Sequence, residues 1–580
     1  MCSEDNTESR ITDNINKTDN MNNKNTTTNT IEFDDLLSSA GEFGLYQVLL
    51  FFSTCPFYIY GVFVYFIQLF LTEVSPNHWC WIPELENLTD VDRRRLAIPQ
   101  EAGARFGYSR CEAYEANWTE VLMTGLTPNE SWPTTKCQYG WEFNKTEIPY
   151  PTISSELGWV CEKDSYQATA QSIFCLGAIC GGFVIGLVAD RFGRLPATVV
   201  SNIIGCIFGI VSMFARSFIE FAICRFLTGL AYDNCMTMVY LLVLEYVGPN
   251  YRSVMANVSF ALFYGTTVTL LPWLALACGH WKTILLVTSL PLSLAVLTPF
   301  IMPESPRWLL SRGRVDEAVK KIITIGRINK KEVPTKLIEQ FKLSVSQQKQ
   351  EERGSILLVL KNPLLRKMFL CICLLYTSCA LVFDGLVRSI GQLQYNYFLS
   401  FCLISLTEIP SVFIMAFIMD WLGRRWVVSI TMMFTMIFCI LTVFVPGGIV
   451  SVSCAIVARF SVNMAYAAAM QWSAELLPVS VRGSGLAIIH ICAFIGYFIA
   501  PFIIYLETYV HWVPSVVIGC VAGLSGFVAL ALPETAKKEM PQTFEDAEKL
   551  ISGSPFWDVP FMRKKVEPTG QVNDSFDMSF

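Results

Sequence analysis

The chain has 580 residues, 53% of them hydrophobic and only 16% charged, with a net charge of −6. A water-soluble chain of this length carries more charge and divides into several domains, so composition excludes that class. The net charge says little when most of the surface faces lipid, and no nucleic-acid partner is expected.

Residues 1–32 are polar and rich in Asn and Thr, with no signal peptide. They read as a disordered cytosolic tail. Twelve apolar runs follow, at 45–71, 167–189, 196–214, 219–243, 253–276, 281–302, 368–389, 395–419, 426–446, 449–473, 484–507 and 511–532. Each is long enough to cross a hydrocarbon core of roughly 30 Å as a helix. The fold class is therefore an all-α membrane protein with twelve transmembrane helices. The expected layout is an N-terminal six-helix half over 33–302, including a loop at 72–166. An intracellular helical linker over 303–367 follows, then a C-terminal half over 368–532 and a tail over 533–580.

Basic residues in short loops set orientation. Arg191, Arg194, Arg252, Arg424, Arg425, Arg482, Lys537 and Lys538 mark one side, and the 303–367 connection adds 15 of the chain's 43 Lys and Arg. That side reads as cytosolic, and an even helix count puts both termini there. Loop 72–166 is then outside. It holds Cys80, Cys111, Cys137 and Cys161, an even number in an oxidising place, which implies two disulfides with three possible connectivities. It also holds four glycosylation sequons, at Asn87, Asn117, Asn129 and Asn144.

The chain is written twice. "GLVADRFGR" (186–194) recurs as "AFIMDWLGR" (416–424), and "MPESPRWLL" (302–310) in part as "LPET" (532–535). Asp190 and Asp420 lie 230 residues apart, as do Glu304 and Glu534. Arg225-Phe226 recurs as Arg459-Phe460, and Glu245 with Arg252 echoes Glu475 with Arg482. Two similar halves imply a pseudo-two-fold axis with a site between them near the bilayer midplane.

These motifs resemble the major facilitator superfamily. "DRFGR" and "DWLGRR" look like its cytosolic-loop signature. "PESPRWLLSRGRVDEA" (303–318), "FDDLLSSAGEFGLYQ" (33–47), the cysteine-bearing outer loop ending "GWVC" (158–161) and "AELLPVSVRGSGLA" (474–487) resemble its organic cation, anion and zwitterion carriers. "YDNCMTMVYLLVLEYVG" points toward the carnitine, carcinine and β-alanine branch. By that resemblance Asp190, Arg194, Asp420 and Arg424 form a cytosolic latch, with Glu245, Arg252, Glu475 and Arg482 as further gating residues.

A charge at the centre of a membrane helix costs roughly 3 kcal/mol on insertion scales, so each intramembrane carboxylate requires a reason. Asp233, Asp384 and Glu408 have no mates in the repeat, and the position of Asp233 carries Ala467 in the second half. Asp384 can pair with Arg388 one turn on, and Glu408 precedes a kink at Pro410. Together they would carry −3 and favour a cation in a central cavity. Arg225 and Arg459, kept in both halves, read as structural. Ring faces also hold ammonium groups. Resemblance maps cavity positions onto Met236, Asn257, Phe260, Tyr376, Phe383, His490 and Phe494, and the repeat adds Tyr232 and Tyr466. Phe494 stands where cation carriers often have Asp and anion or carnitine carriers Arg. His490, on the same face, titrates near neutral pH.

The implied function is a plasma-membrane secondary transporter. It would move a small organic cation or zwitterion by alternating access, with Na+ or H+ as a coupling ion. An organic anion exchanger, a receptor-like member and a sugar porter remain open. No cofactor or metal is expected, and no enzyme: the chain has no P-loop, nucleophile elbow or metal-ligand spacing.

Overall fold

A computed structural model describes residues 33–73, 77–101, 107–126, 128–129, 131–347, 356–536, 538, 540–553, 555 and 558. The tail 1–32, most of 554–580 and Lys537 lie outside them. The described chain contains twelve helices long and apolar enough to cross a membrane. They are α1 (Leu45–Thr72), α2 (Cys161–Phe192), α3 (Arg194–Phe214), α4 (Phe218–Leu244), α5 (Val254–Cys278), α6 (Trp281–Ile301), α7 (Pro363–Leu393), α8 (Tyr397–Leu422), α9 (Arg424–Phe444), α10 (Ile449–Leu476), α11 (Val479–Thr508) and α12 (Val513–Leu530). Several run past the apolar stretch that marks them, because polar turns continue the helix beyond the hydrocarbon.

The irregular points have local causes. Pro56 and Pro410 lack an amide proton, and α1 and α8 break just before them, at Thr54 and Thr407. In α5 the segment Phe260–Gly265 is π-helical and packs against the α8 break. A Cβ on Gly265 would lie 3.0 Å from Ile409 and 3.7 Å from Cβ of Glu408.

The chain separates into two compact units. The larger, made of the described residues within 51–243, 253–304 and 356–558, holds nearly all of the spanning helices. Its two repeated turns work alike. Gly193 and Gly423 take φ of +113° and +94°, a region where side chains are strained. Just beyond each, a glutamate accepts the first free amides of a helix. Glu304 takes the N–H groups of Arg194 (2.9 Å) and Leu195 (3.1 Å). Glu534 takes those of Arg424 (3.0 Å) and Arg425 (2.9 Å). A carboxylate there satisfies orphan donors and opposes the helix dipole.

The outer loop forms two small antiparallel pairs. β1 (His78–Cys80) pairs with β4 (Trp141–Phe143), and β2 (Glu112–Tyr114) with β3 (Thr134–Lys136). Trp79, Leu85, Ile98, Tyr108, Tyr114 and Trp118 pack a core of their own beneath them. The disulfides join Cys80 to Cys137 and Cys111 to Cys161. Asn87, Asn117 and Asn129 are exposed and Asn144 is half-buried.

Of the described residues, the smaller unit comprises 33–50 with 244–252 and 305–347. Its centre is Asp34, which binds Arg252 at 2.7 Å and Arg307 at 2.5 Å. Burial pushes this carboxyl up, but the two guanidinium groups outweigh it and hold it below its ordinary value. Arg252 also donates to the Val247 carbonyl at 3.0 Å. Gln47 donates to the Tyr246 carbonyl at 3.1 Å and accepts from Asn329 at 3.0 Å. Glu245 accepts from Ser305.

Candidate functional site

The polar side chains inside the larger unit sort by height along the helices. Near the end that bears the outer loop, the two halves touch closely. Phe66 meets Phe401 at 6.0 Å, Phe70 meets Phe398 at 6.1 Å, and Ser172 donates to the Phe498 carbonyl at 2.8 Å. Tyr65 of α1 donates to Asp384 of α7 at 2.6 Å, and Arg388 holds the other oxygen of Asp384 at 2.6 Å. Asp384 is 2% exposed. It is therefore a buried, doubly held carboxylate that ties one half to the other.

Glu408 is also 2% exposed and also paired. Arg459 of α10 reaches it at 2.7 Å, with the guanidinium 3.5 Å above the ring of Phe383 and donating to the carbonyl of Phe383. The expected charge of −3 is thus not presented as such: an arginine sits on two of the three carboxylates. The short reach of i to i+4 explains Asp384. Glu408 is the first residue after the α8 break, where the helix faces α10 across the Thr407–Asn463 hydrogen bond of 3.2 Å.

Asp233 differs. Its Oδ1 lies 3.1 Å from Nε2 of His490 on α11 and accepts from Thr237 at 3.2 Å. The pair joins the two halves, and its side chains are 18% and 39% exposed. It is the one carboxylate of the three whose partner is an imidazole rather than a guanidinium. Rings surround it. Phe494 sits 5.4 Å from His490 and 6.2 Å, edge-on, from Tyr232. Tyr232 stacks on Tyr65 at 4.8 Å. Tyr497 touches Phe494 at 5.8 Å and donates to the hydroxyl of Tyr466 at 3.2 Å. Tyr466 in turn stacks on Tyr376 at 5.0 Å and lies 5.3 Å from Phe383.

The structure therefore gathers Asp233, His490, Tyr232 and Phe494 directly, with Tyr466, Tyr376 and Phe383 adjoining through Tyr497. Phe260 belongs to a neighbouring group with Tyr264 (4.4 Å) and Tyr58 (6.4 Å). Met236 packs against Gly61 of α1. Asn257 is half-buried on α5. Tyr65, Tyr497 and Phe174 were not anticipated from sequence. Tyr497 carried a signal, since His490, Phe494 and Tyr497 fall at i, i+4 and i+7 on one helical face.

At the two repeated glycine turns Arg194 meets Asp190 at 3.1 Å and Arg424 meets Asp420 at 3.2 Å. Arg424 also grips Glu475 at 2.9 Å, and Thr535 donates to the same carboxylate. Arg482 donates to the Leu477 carbonyl at 3.2 Å, as Arg252 does to Val247. These contacts of Arg194 and Arg424 run within their own halves. Among the described residues no cluster of His, Cys, Asp and Glu could hold a metal ion.

Residues 122–547 match the model of a family described as sugar (and other) transporter. A protein named carcinine transporter in Drosophila melanogaster is 32% identical over 557 residues, covering 93% of this chain and 82% of that protein. Solute carrier family 22 member 3 of Mus musculus is 30% identical over 545 residues, covering 90% and 96%. A Drosophila melanogaster protein named beta-alanine transporter is 27% identical over 556 residues, covering 89% of each. Among solved structures, the proton:xylose symporter XylE superposes with a TM-score of 0.53 at 18% identity, over 67% of this chain and 90% of that one. This supports the fold alone. The chain, a multi-pass membrane protein, belongs to the sugar (and other) transporter family of the major facilitator superfamily, among its organic cation, anion and zwitterion carriers.

Proposed function

We propose that this protein is a plasma-membrane secondary transporter of a small organic cation or zwitterion, working by alternating access with both termini in the cytosol. The observation that carries this reading is the Asp233–His490 pair, which spans the two halves inside a ring of aromatic side chains. A cationic ligand can replace imidazolium as the partner of Asp233, and ring faces supply roughly 0.5–2 kcal/mol each to an ammonium group. Relatives named for transport of carcinine, organic cations and beta-alanine support the same substrate class.

Exposure is graded along the structure. The pair at Asp233 is partly open, whereas the Tyr65–Asp384–Arg388 layer above it is closed. Substrate released from Asp233 would let His490 return to the carboxylate, so protonation of that imidazole offers a coupling route for H+. Na+ is the alternative coupling ion. Opening the outer end requires Tyr65 to leave Asp384. Closing the cytosolic end would bring Asp190, Arg194, Asp420 and Arg424 into contact across the halves, with the segments at Glu245, Arg252, Glu475 and Arg482 moving with them. The outer loop would carry glycans on Asn87, Asn117, Asn129 and Asn144.

Uptake of labelled amines and amino acids into cells expressing the chain tests this reading. Asp233→Asn protein, matched for surface amount, should lose at least about tenfold in uptake, as expected for removing one member of a charge pair that joins the two halves. Undiminished transport by that variant would sink the assignment.

A further inference from the structure

Arg225 of α4 is a buried cation whose counter-charge is missing. It is 3% exposed, and its Nε and Nη2 are buried without a hydrogen-bond partner. Its guanidinium rests 4.3 Å over the ring of Phe174 on α2. Among the described residues no carboxylate forms an ion pair with it.

The repeat explains the vacancy. Arg459 is the mate of Arg225, and Arg459 has Glu408 at 2.7 Å. At the 230-residue spacing of the α2 and α8 motifs, the mate of Glu408 is Ala178. The first half keeps the arginine and lacks its acid. The helix crossing beneath it is also tighter. A Cβ on Gly177 would lie 2.1 Å from the Phe226 carbonyl oxygen, and one on Gly229 would lie 2.2 Å from that of Phe174. At this crossing Arg225 rests over the ring of Phe174, with no acid on α2 to meet it. The nearby layer holds a second cation, Arg388, which is already satisfied by Asp384. One positive charge is left over inside the protein.

A buried guanidinium whose Nε and Nη2 have no partner is suited to a planar anion such as a carboxylate. We infer that Arg225 receives the carboxylate of a zwitterionic substrate whose ammonium group is held at Asp233. This rests on the reading of Asp233 given above and narrows it to amino acids. Rings connect the two ends: Phe174 lies 5.4 Å from Tyr232, Tyr232 lies 6.2 Å from Phe494, and Phe494 lies 5.4 Å from His490. Eight helical residues separate Arg225 from Asp233, about 12 Å along the axis. Less the reach of the two side chains, that gap suits an amine and a carboxylate several bonds apart. An α-amino acid is too short.

The test is uptake by the full-length chain in cells, normalised to surface protein. The probes are a series of labelled ω-amino acids from glycine to 6-aminohexanoate, with hexylamine as the carboxylate-free counterpart. In the wild type, KM should fall as the chain lengthens. Arg225→Gln should raise KM for 6-aminohexanoate at least about tenfold and leave hexylamine within about twofold. Ala178→Glu, which supplies the internal acid of the other half, should discriminate in the same way without removing the arginine. Equal loss of both probes in both variants would reduce Arg225 to a positioning residue and overturn the proposal. Wild-type transport of hexylamine but of no amino acid would also overturn it while leaving the Asp233 reading intact. Transport of neither would remove both. A wild-type hexylamine uptake that needs chloride, lost in Arg225→Gln, would assign the site to a free anion instead.

Discussion

The two halves of this chain share a plan and differ in how they treat the same buried arginine. In the second half Arg459 is neutralised by Glu408, and Thr407 and Asn463 are hydrogen-bonded where α8 and α10 cross. In the first half the corresponding positions are Ala178, Gly177 and Gly229, and Arg225 leans on a ring. Pseudo-symmetry supplies two equivalent crossings. One has been filled and made rigid, and the other has been emptied of its acid. An asymmetric solute requires an asymmetric site, and the proposed carboxylate subsite at Arg225 would put the asymmetry here. The lesson extends to Asp233, whose mate is Ala467: charge is added in one half where the other shows that the architecture does without it.

The comparison predicts unequal responses to similar damage. Glu408→Ala would leave Arg459 as an uncompensated charge in a site that is 0% exposed. Breaking a buried pair by removing one partner costs about 3–5 kcal/mol. Arg225→Met removes a cation with no carboxylate to orphan, so its effect on stability should be small or favourable. Thermal melting of purified protein by fluorescence-detected size exclusion measures both. A Glu408→Ala protein as stable as Arg225→Met would erase the distinction between the halves. Adding Arg459→Met to Glu408→Ala should recover much of the loss.

The halves also share charge where they meet, and there the expected effect is smaller and depends on pH. Glu73 follows α1 and is partly buried, facing Glu507, Arg388 and Tyr397. Burial pushes its carboxyl up, repulsion from Glu507 adds to that, and Arg388 with the Tyr397 hydrogen bond opposes it, leaving it at about 8. The packed outer end therefore favours the protonated form. Its contribution to stability is complete below the ordinary value of 4.5, declines as pH rises, and is lost above about 8. Melting temperature should fall between pH 5 and pH 9 in the wild type and fall less in Glu73→Gln. Equal slopes would show that Glu73 is ionised throughout.

Much of the architecture was legible in the sequence because it is repeated and long-range order is not needed to see it. Each span announces itself by some twenty apolar residues, and Asp190 with Asp420 or Glu304 with Glu534 reveal the duplication by spacing alone. The Asp384–Arg388 pair was visible as a helical i, i+4 contact. The pairs that decide the site were not visible. Asp233 and His490 are 257 residues apart, and Glu408 and Arg459 are 51 apart on different helices. Helix rotation and crossing angle set such contacts, and no local pattern encodes either. Aromatic residues make up 13% of the chain, so Tyr65 and Phe174 could not be told from rings that face lipid. The outer cysteines showed that two bridges exist, but their connectivity waited for the small sheets that bring Cys80 to Cys137.

The smallest stability effect in the comparison is also the one that separates a latch from a topological marker. Asp190 and Asp420 are 77% and 75% exposed, and each sits one turn from its arginine. Exposed pairs of this kind contribute about 0–1 kcal/mol, so Asp190→Asn and Asp420→Asn should melt within a degree or two of the wild type. Arg424 differs from Arg194 because it also carries Glu475, which is largely buried. Arg424→Gln should therefore destabilise more than Arg194→Gln. If the acidic residues serve only orientation, uptake by the two Asn variants will match the wild type. If they close the cytosolic end by pairing across the halves, each variant will transport more slowly at unchanged stability. The double variant will then be no slower than the worse single one, because both remove parts of one contact.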